Sequence, residues 1–205
     1  METTIIPAHT EGKQNDLSVA VTLASREEST DTFKRAYKRL LNPPVWHELA
    51  GSLSGEFALV GIAGNELNRL AQTGDLFKVD LPGPGPKAGD GYDWVRVDAI
   101  DDQSNEQADE ELFAMRISPT INPGVTNHDI AHFFKGTASS TFIIHRKGNE
   151  VTASYHGRNE MPNNETGNII DNIRNSVIAA TAAIGLSELQ WKSLIKGFLE
   201  PEIGG

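Results

Sequence analysis

Residues 141–156 read TFIIHRKGNEVTASYH, and this stretch decides the fold. Two runs of β-branched and aromatic residues flank Gly148 and Asn149, which can supply the positive φ angles of a tight two-residue turn. Such a turn pairs Lys147 with Glu150. The stretch therefore predicts a β-hairpin with a fixed register.

The alternation of side chains along this hairpin predicts which face is buried. One face is apolar and aromatic: Phe142, Ile144, Val151, Ala153 and Tyr155. The other face is mostly polar: Thr141, Ile143, His145, Thr152, Ser154 and His156. We expect the first face to lie in the core and the second to be mostly solvated.

The residues before the hairpin predict further strands and one amphipathic helix. Residues 17–24 alternate as a strand with one buried face. Residues 29–41 form a helix with one apolar stripe, and Lys34, Arg35, Lys38 and Arg39 lie on its solvent side. Further strands are expected at 56–63, 76–81, 92–100 and 112–118. The strand at 56–63 is expected to be buried, and that at 92–100 to place Val95, Val97 and Ala99 on one face. A short helix is expected at 65–72 and a solvated acidic connection at 101–111.

The C-terminal part predicts two helices, over 168–184 and 187–199. The second opens with a capping box at 187–190. Its apolar stripe consists of Trp191, Leu194, Ile195, Phe198 and Leu199. A helix this short is marginal alone in water, so we predict that the stripe packs on the chain's own sheet.

These elements define the fold class as α+β, because the helices gather near both ends of a run of strands. We expect a mainly antiparallel sheet or partly open barrel, with an N-terminal amphipathic helix and two C-terminal helices. Residues 1–15 are expected to be flexible, and residues 16–205 to form a single domain in which 74–160 can be a β-rich subdomain.

The composition excludes several classes of function. The chain has 28 acidic and 18 basic residues, a net charge of -10, which argues against binding nucleic acid or anionic membranes. It has no cysteine, so disulfides and thiolate metal sites are excluded. The first residues do not resemble a signal peptide, and no apolar run is long enough to span a membrane. We therefore expect a cytoplasmic protein.

The histidines are the candidates for metal binding or catalysis. His128, Asp129 and His132 could share a helix face and hold zinc, but the HExxH pattern is absent. The predicted register separates His145 from His156 by about 13 Å, too far for a catalytic pair. No G-x-S-x-G motif is present. We expect no metal and no cofactor, and these residues favour a protein that is not an enzyme.

A Pro/Gly-rich rim over 82–94 is the candidate contact surface. Its prolines restrict the loop before a partner binds, and aromatic residues beside it can anchor an interface. The candidate binding residues are Pro84, Pro86, Lys87, Tyr92, Trp94 and Arg158. Arg158 could bind a carboxylate or form a structural salt bridge. The first hypothesis is thus an interaction or structural protein that binds another protein or itself through this rim.

The elements follow in the order strand, helix, aromatic-bearing turn (PPVWHEL, 43–49), antiparallel strands and terminal amphipathic helix. This order resembles that of helix-grip, START-like proteins. This resemblance implies a carrier with an apolar cavity between the sheet and the C-terminal helices. Residues 74–100 would fit a small SH3-like barrel equally well. The alternative to the first hypothesis is therefore a carrier of a small apolar ligand, and the third is a hydrolase.

Overall fold

The computed structural model describes residues 3–51, 55–80, 92–124, 138–160 and 188–201. These residues form seven strands, three α-helices and a short 3-10 helix at Pro43–Val45. The strands are β1 Lys13–Thr22, β2 Glu56–Val60, β3 Leu76–Asp80, β4 Asp93–Gln103, β5 Glu110–Pro119, β6 Ser139–Lys147 and β7 Glu150–Glu160. The helices are α1 Arg26–Leu40, α2 Trp46–Ala50 and α3 Glu188–Leu199.

The strands form one antiparallel sheet in the order β1-β7-β6-β5-β4-β3-β2. Strands β2 to β7 pair with their neighbours in the sequence, and β1 pairs with β7 at the far edge. The predicted α+β class and the mainly antiparallel, partly open sheet are confirmed. Of the two predicted C-terminal helices, the second is present as α3, and residues 168–184 lie outside the described part of the chain.

The hairpin of β6 and β7 has the predicted register. Lys147 pairs with Glu150, and His145 pairs with Thr152. The predicted core face is fully buried. The prediction that the other face is mostly solvated is wrong for Ile143 and its neighbours, because residues 3–8 lie across it. Ile5 packs there against the apolar side chains Leu112, Ala114 and Ile143.

The helices cover the opposite, aromatic face of the sheet. Trp46 of α2 lies at its centre and contacts the rings of Phe57, Phe77, Phe142 and Phe198, with ring centroids 5.3 to 6.1 Å apart. These contacts join α2, α3 and three strands into one core. The predicted apolar stripe of α3 is buried throughout, so its packing on the chain's own sheet is confirmed.

Two arginines of α1 hold the end of α3. Arg35 donates to the backbone carbonyl of Glu200, and Arg39 donates to that of Gly197, at 3.0 and 2.8 Å. The last carbonyls of a helix lack partners within the helix, and cations near them are stabilising. These two side chains were predicted on the solvent side, which is wrong because α3 approaches that side of α1.

A buried ion pair joins β5 to β6. Arg146 Nε donates to Glu111 Oε2 at 2.6 Å, and both side chains are almost completely buried. Arg146 also donates to the carbonyls of Ala108 and Gly148. The prediction that residues 101–111 form only a solvated connection is therefore wrong. The ends of this run belong to β4 and β5, and Glu111 lies inside the protein.

Three local predictions differ from the structure for identifiable reasons. A bulge between Val97 and Ala99 moves Ala99 to the other face of the sheet. No helix is present over 65–72, where Asp75 instead binds Arg69 and the backbone N–H of Gln72. The strand predicted at 56–63 ends at Val60. Its residues Phe57, Leu59 and Val60 are buried as predicted, although the strand lies at an edge of the sheet.

The Arg146–Glu111 pair leads to a stability prediction. Glu111→Ala leaves a buried guanidinium without its counter-ion, so we expect unfolding free energy to fall by about 3–5 kcal/mol. Lys196→Ala removes a control ion pair to Glu200 that is exposed to solvent, and should cost less than about 1 kcal/mol. Urea unfolding measures both, and equal losses would contradict the role assigned to the buried pair.

Candidate functional site

Four side chains form a polar cluster at one end of the aromatic core: Ser140, Tyr155, Glu160 and Trp191. Tyr155 donates from its hydroxyl to Glu160 Oε1 at 2.9 Å, and Ser140 Oγ lies 3.3 Å from the same hydroxyl. The indole of Trp191 stacks on the Tyr155 ring, with centroids 4.3 Å apart and planes 15° apart. The polar cluster thus lies between β6, β7 and the first turns of α3.

The end of β7 is built to bring Glu160 into this position. Lys13 pairs with Glu160 and Asn15 with Gly157, so β7 carries one extra residue. Asn159 takes a positive φ of 56° at this bulge, which turns Glu160 toward the face that Tyr155 occupies. Gly157 leaves the required space, because a Cβ there would overlap with Glu160 Oε1.

Two polar atoms of the polar cluster are buried without a hydrogen-bond partner among the described residues. They are Glu160 Oε2 and Trp191 Nε1. By contrast, Trp46 Nε1 donates to the carbonyl of Arg39 at 3.0 Å. An unpaired buried polar group costs about 1–3 kcal/mol, and most buried groups in proteins are paired. Two such atoms, on residues that both contact Tyr155, indicate a place where a bound molecule could supply the missing partners.

Burial also changes the acidity of the polar cluster. It raises the pKa of Glu160, although the hydrogen bond from Tyr155 and the charges of Lys13 and Arg158 act in the opposite direction. Burial raises the pKa of Tyr155 as well, with a further contribution from Glu160. The neutral forms are therefore favoured to higher pH than usual. In its protonated form Glu160 is able to donate a hydrogen bond, as the indole N–H of Trp191 is.

The structure places the two described aromatic residues of the rim against the sheet. Trp94 is buried with Val60 and Leu76, and Tyr92 packs beside them. Lys78 Nζ lies 3.8 Å from the centroid of the Tyr92 ring. Pro84, Pro86 and Lys87 lie outside the described residues. The binding role predicted for these rim residues stays a prediction.

Arg158 belongs to an ionic network at the edge of the sheet. Its Nη2 donates to Asp16 Oδ1 at 2.7 Å, and His156 Nδ1 lies 2.6 Å from the same oxygen. Burial tends to raise the pKa of Asp16, but hydrogen bonds from Gln14, Arg158 and His156 lower it to about 2. Arg158 thus forms a salt bridge within the protein, which was one of its two predicted roles. The other role, binding the carboxylate of another molecule, stays a prediction.

Among the described histidines, His145 and His156 do not come together. His145 contacts Glu110 and His156 contacts Asp16, on different parts of the sheet. In the described part of the chain, no group of three His, Asp or Glu side chains could hold a metal ion. His128, Asp129 and His132, the weak candidates for metal binding, lie outside that part.

None of the four residues of the polar cluster was predicted as a site residue. Tyr155 and Trp191 were predicted only as core residues. One signal was present in the sequence: Gly157 interrupts an otherwise regular strand, and an interior glycine often marks a bulge or a close approach. The four residues are far apart in the sequence, so only the fold brings Trp191 to Tyr155.

Among the described helices, none combines the length and apolar character needed to cross a membrane. No protein-family model matches the chain, and no curated protein matches it.

Solved structures with a similar arrangement share little sequence with this chain. A hypothetical protein of Helicobacter pylori is 11% identical, with a TM-score of 0.48, and the match covers 97% of this chain and 98% of that one. The ZhuI aromatase/cyclase of Streptomyces sp. R1128 is 8% identical, with a TM-score of 0.43 and coverages of 91% and 92%. A major latex-like protein of Panax ginseng is 15% identical, with a TM-score of 0.33 and coverages of 82% and 94%. Likenesses this distant assign no ligand or activity to the chain.

The raised pKa of Glu160 leads to a prediction about pH. Above the ordinary pKa of 4.5 the unfolded chain loses this proton while the folded chain keeps it, so stability falls as pH rises toward the folded pKa. Glu160→Gln cannot ionise. We expect this variant to gain in melting temperature relative to the unmodified protein between pH 4 and pH 8. The exposed Glu66 provides a control, because Glu66→Gln should follow the unmodified profile. Parallel profiles for Glu160→Gln and the unmodified protein would contradict the prediction.

Proposed function

We propose that this protein binds a small, largely apolar molecule that carries a carbonyl or hydroxyl oxygen, and holds it between the sheet and α3. One observation carries the proposal: Glu160 Oε2 and Trp191 Nε1 are buried, have no partner among the described residues, and flank the same tyrosine. A ligand oxygen in reach of these atoms would remove the cost of leaving them unpaired.

The chemistry of the polar cluster favours an acceptor oxygen on the ligand. Trp191 Nε1 can only donate. Protonated Glu160 can donate from Oε2 while its Oε1 accepts from Tyr155. Neither donor carries a charge in this state that would offset the desolvation of a buried anion, so a neutral oxygen is the better partner. The aromatic core beside the polar cluster suits an apolar ligand body.

The order of elements supports the same location. The described chain runs through β1, α1, α2, a six-stranded antiparallel meander and α3. The resemblance to helix-grip proteins implies this order. That resemblance implies a ligand between the sheet and the C-terminal helix, which is where the polar cluster lies. We therefore favour the carrier alternative over the interaction hypothesis, which stays a prediction because residues 81–91 of the rim are outside the described part.

The ligand must displace side chains to reach the polar cluster. Tyr155, Phe142 and Trp191 are fully buried and fill the space under α3. Trp191 lies in the first turn of α3, and helix ends unwind more readily than helix centres. In this proposal the Trp191 ring shifts far enough to admit the ligand beside Glu160, and its Nε1 donates to the ligand oxygen.

A pair of matched probes tests the proposal. 2-Acetylnaphthalene offers a carbonyl oxygen, and 2-isopropylnaphthalene has a similar shape without it. We expect the ketone to bind more tightly by roughly fivefold to a hundredfold, the range for pairing one buried donor. Isothermal titration calorimetry measures both affinities. Equal affinities, or no binding of the ketone, would overturn the proposal.

Two tryptophan variants locate the effect. Trp191→Phe keeps an aromatic ring and removes the N–H that has no partner in the described part of the chain, so the preference for the ketone should shrink. Trp46→Phe removes an indole N–H that already has a partner in the protein, so the preference should remain. Circular dichroism confirms that each variant is folded. Retention of the full preference by Trp191→Phe would place the binding elsewhere.

A further inference from the structure

A cavity with a volume of about 630 Å³ lies on the face of the sheet opposite to the helices. Strands β4, β5 and β6 form its floor, and Pro7 of the N-terminal segment and Thr73 lie at its border. This volume is within the range of about 300–1,000 Å³ for small-molecule sites. The polar cluster around Tyr155 faces the helices, so the two sites are separate.

The sheet register places polar side chains in a row across this floor. Arg96 of β4 pairs with Ser118 of β5. Ile117 pairs with Ser140, so Ser118 and Ser139 are the next neighbours along these strands. Arg116 lies two residues from Ser118 on the same face. Neighbouring positions on adjacent strands are close enough for one small molecule to contact several of them.

Two arginines give the cavity a local positive charge in a chain of net charge -10. Arg96 Nε lies 3.0 Å from Asp98 Oδ1, and Arg116 Nε lies 3.8 Å from Asp98 Oδ2. One carboxylate is thus shared by two guanidinium groups. Arg116 also donates to the carbonyl of Ile5 at 3.1 Å. Each guanidinium has five N–H groups, so donors remain for a ligand.

A buried hydroxyl is the second, independent indication of a ligand. Ser139 lines the cavity and is only 5% exposed, and its Oγ has no hydrogen-bond partner in the part of the chain that the structure describes. A hydroxyl in this position is a donor that a ligand oxygen could satisfy. Arginine pairs with carboxylate and phosphate oxygens in strong, charge-assisted hydrogen bonds.

We propose that this cavity binds the carboxylate or phosphate group of a small organic anion, with Arg96 and Arg116 as the charged partners and Ser139 as the hydroxyl donor. The Asp98 carboxylate lies beside both arginines. The three side chains together carry one net positive charge. The anion therefore adds to an existing ion pair and does not need to displace it.

Calorimetry with benzoate and phenyl phosphate tests this proposal and distinguishes the two kinds of anion, and benzamide serves as the neutral control. We expect one or both anions to bind and benzamide not to bind. Arg96→Gln should weaken anion binding by about tenfold or more, because it removes a charged donor. Arg26→Gln makes the same charge change at an exposed ion pair with Asp109, outside the cavity, and should leave the affinity nearly unchanged.

Ser139→Ala separates a binding role from a purely structural one. It removes a buried hydroxyl that has no partner among the described residues, so we expect weaker anion binding together with an unchanged or higher melting temperature of the ligand-free protein. Absence of binding by both anions would overturn the proposal. Equal losses in Arg96→Gln and Arg26→Gln would also overturn it, since they would show a general effect of charge.

Discussion

The packing of Trp46 against the aromatic face of the sheet is the interaction on which the rest of the structure depends. This ring touches side chains of β2, β3, β6 and α3. It therefore joins parts of the chain that are far apart in sequence, and truncating so buried an aromatic side chain typically costs about 3–5 kcal/mol. Because α3 is anchored there through Phe198, the Trp191 ring at its other end is held over Tyr155.

The two ends of the core differ in how their polar groups are satisfied. At one end, Arg146 and Glu111 form a buried ion pair whose remaining donors bind backbone carbonyls. At the other end, Glu160 and Trp191 each keep a buried atom without a partner among the described residues. Proteins commonly give up stability at binding sites. This contrast within one core is the physical reason for placing a ligand at the second end.

The sequence predicted those parts of the fold that depend on local patterns. The hairpin register followed from the turn at Gly148, and the buried stripe of α3 followed from helical spacing. The failures arose where distant residues meet. In the sequence, Arg35 and Arg39 follow a solvent-side pattern, but in the fold the end of α3 brings backbone carbonyls to them. Glu111 belongs to an acidic run in the sequence, but in the fold it pairs with Arg146. The polar cluster was missed for the same reason, since the bulge at Asn159 and the stacking of Trp191 are tertiary features.

Trp191 Nε1 has no partner among the described residues, and its proposed hydrogen bond to a ligand oxygen can be observed through the indole N–H resonances in a ¹H–¹⁵N correlation spectrum. Trp46 provides the internal reference, because its indole already donates to Arg39. On addition of 2-acetylnaphthalene, we expect the Trp191 indole proton to move downfield as it gains a hydrogen bond, while that of Trp46 stays in place. A Trp191 resonance that does not move at saturating ketone, or that moves equally with 2-isopropylnaphthalene, would show that this indole does not bind the ligand oxygen.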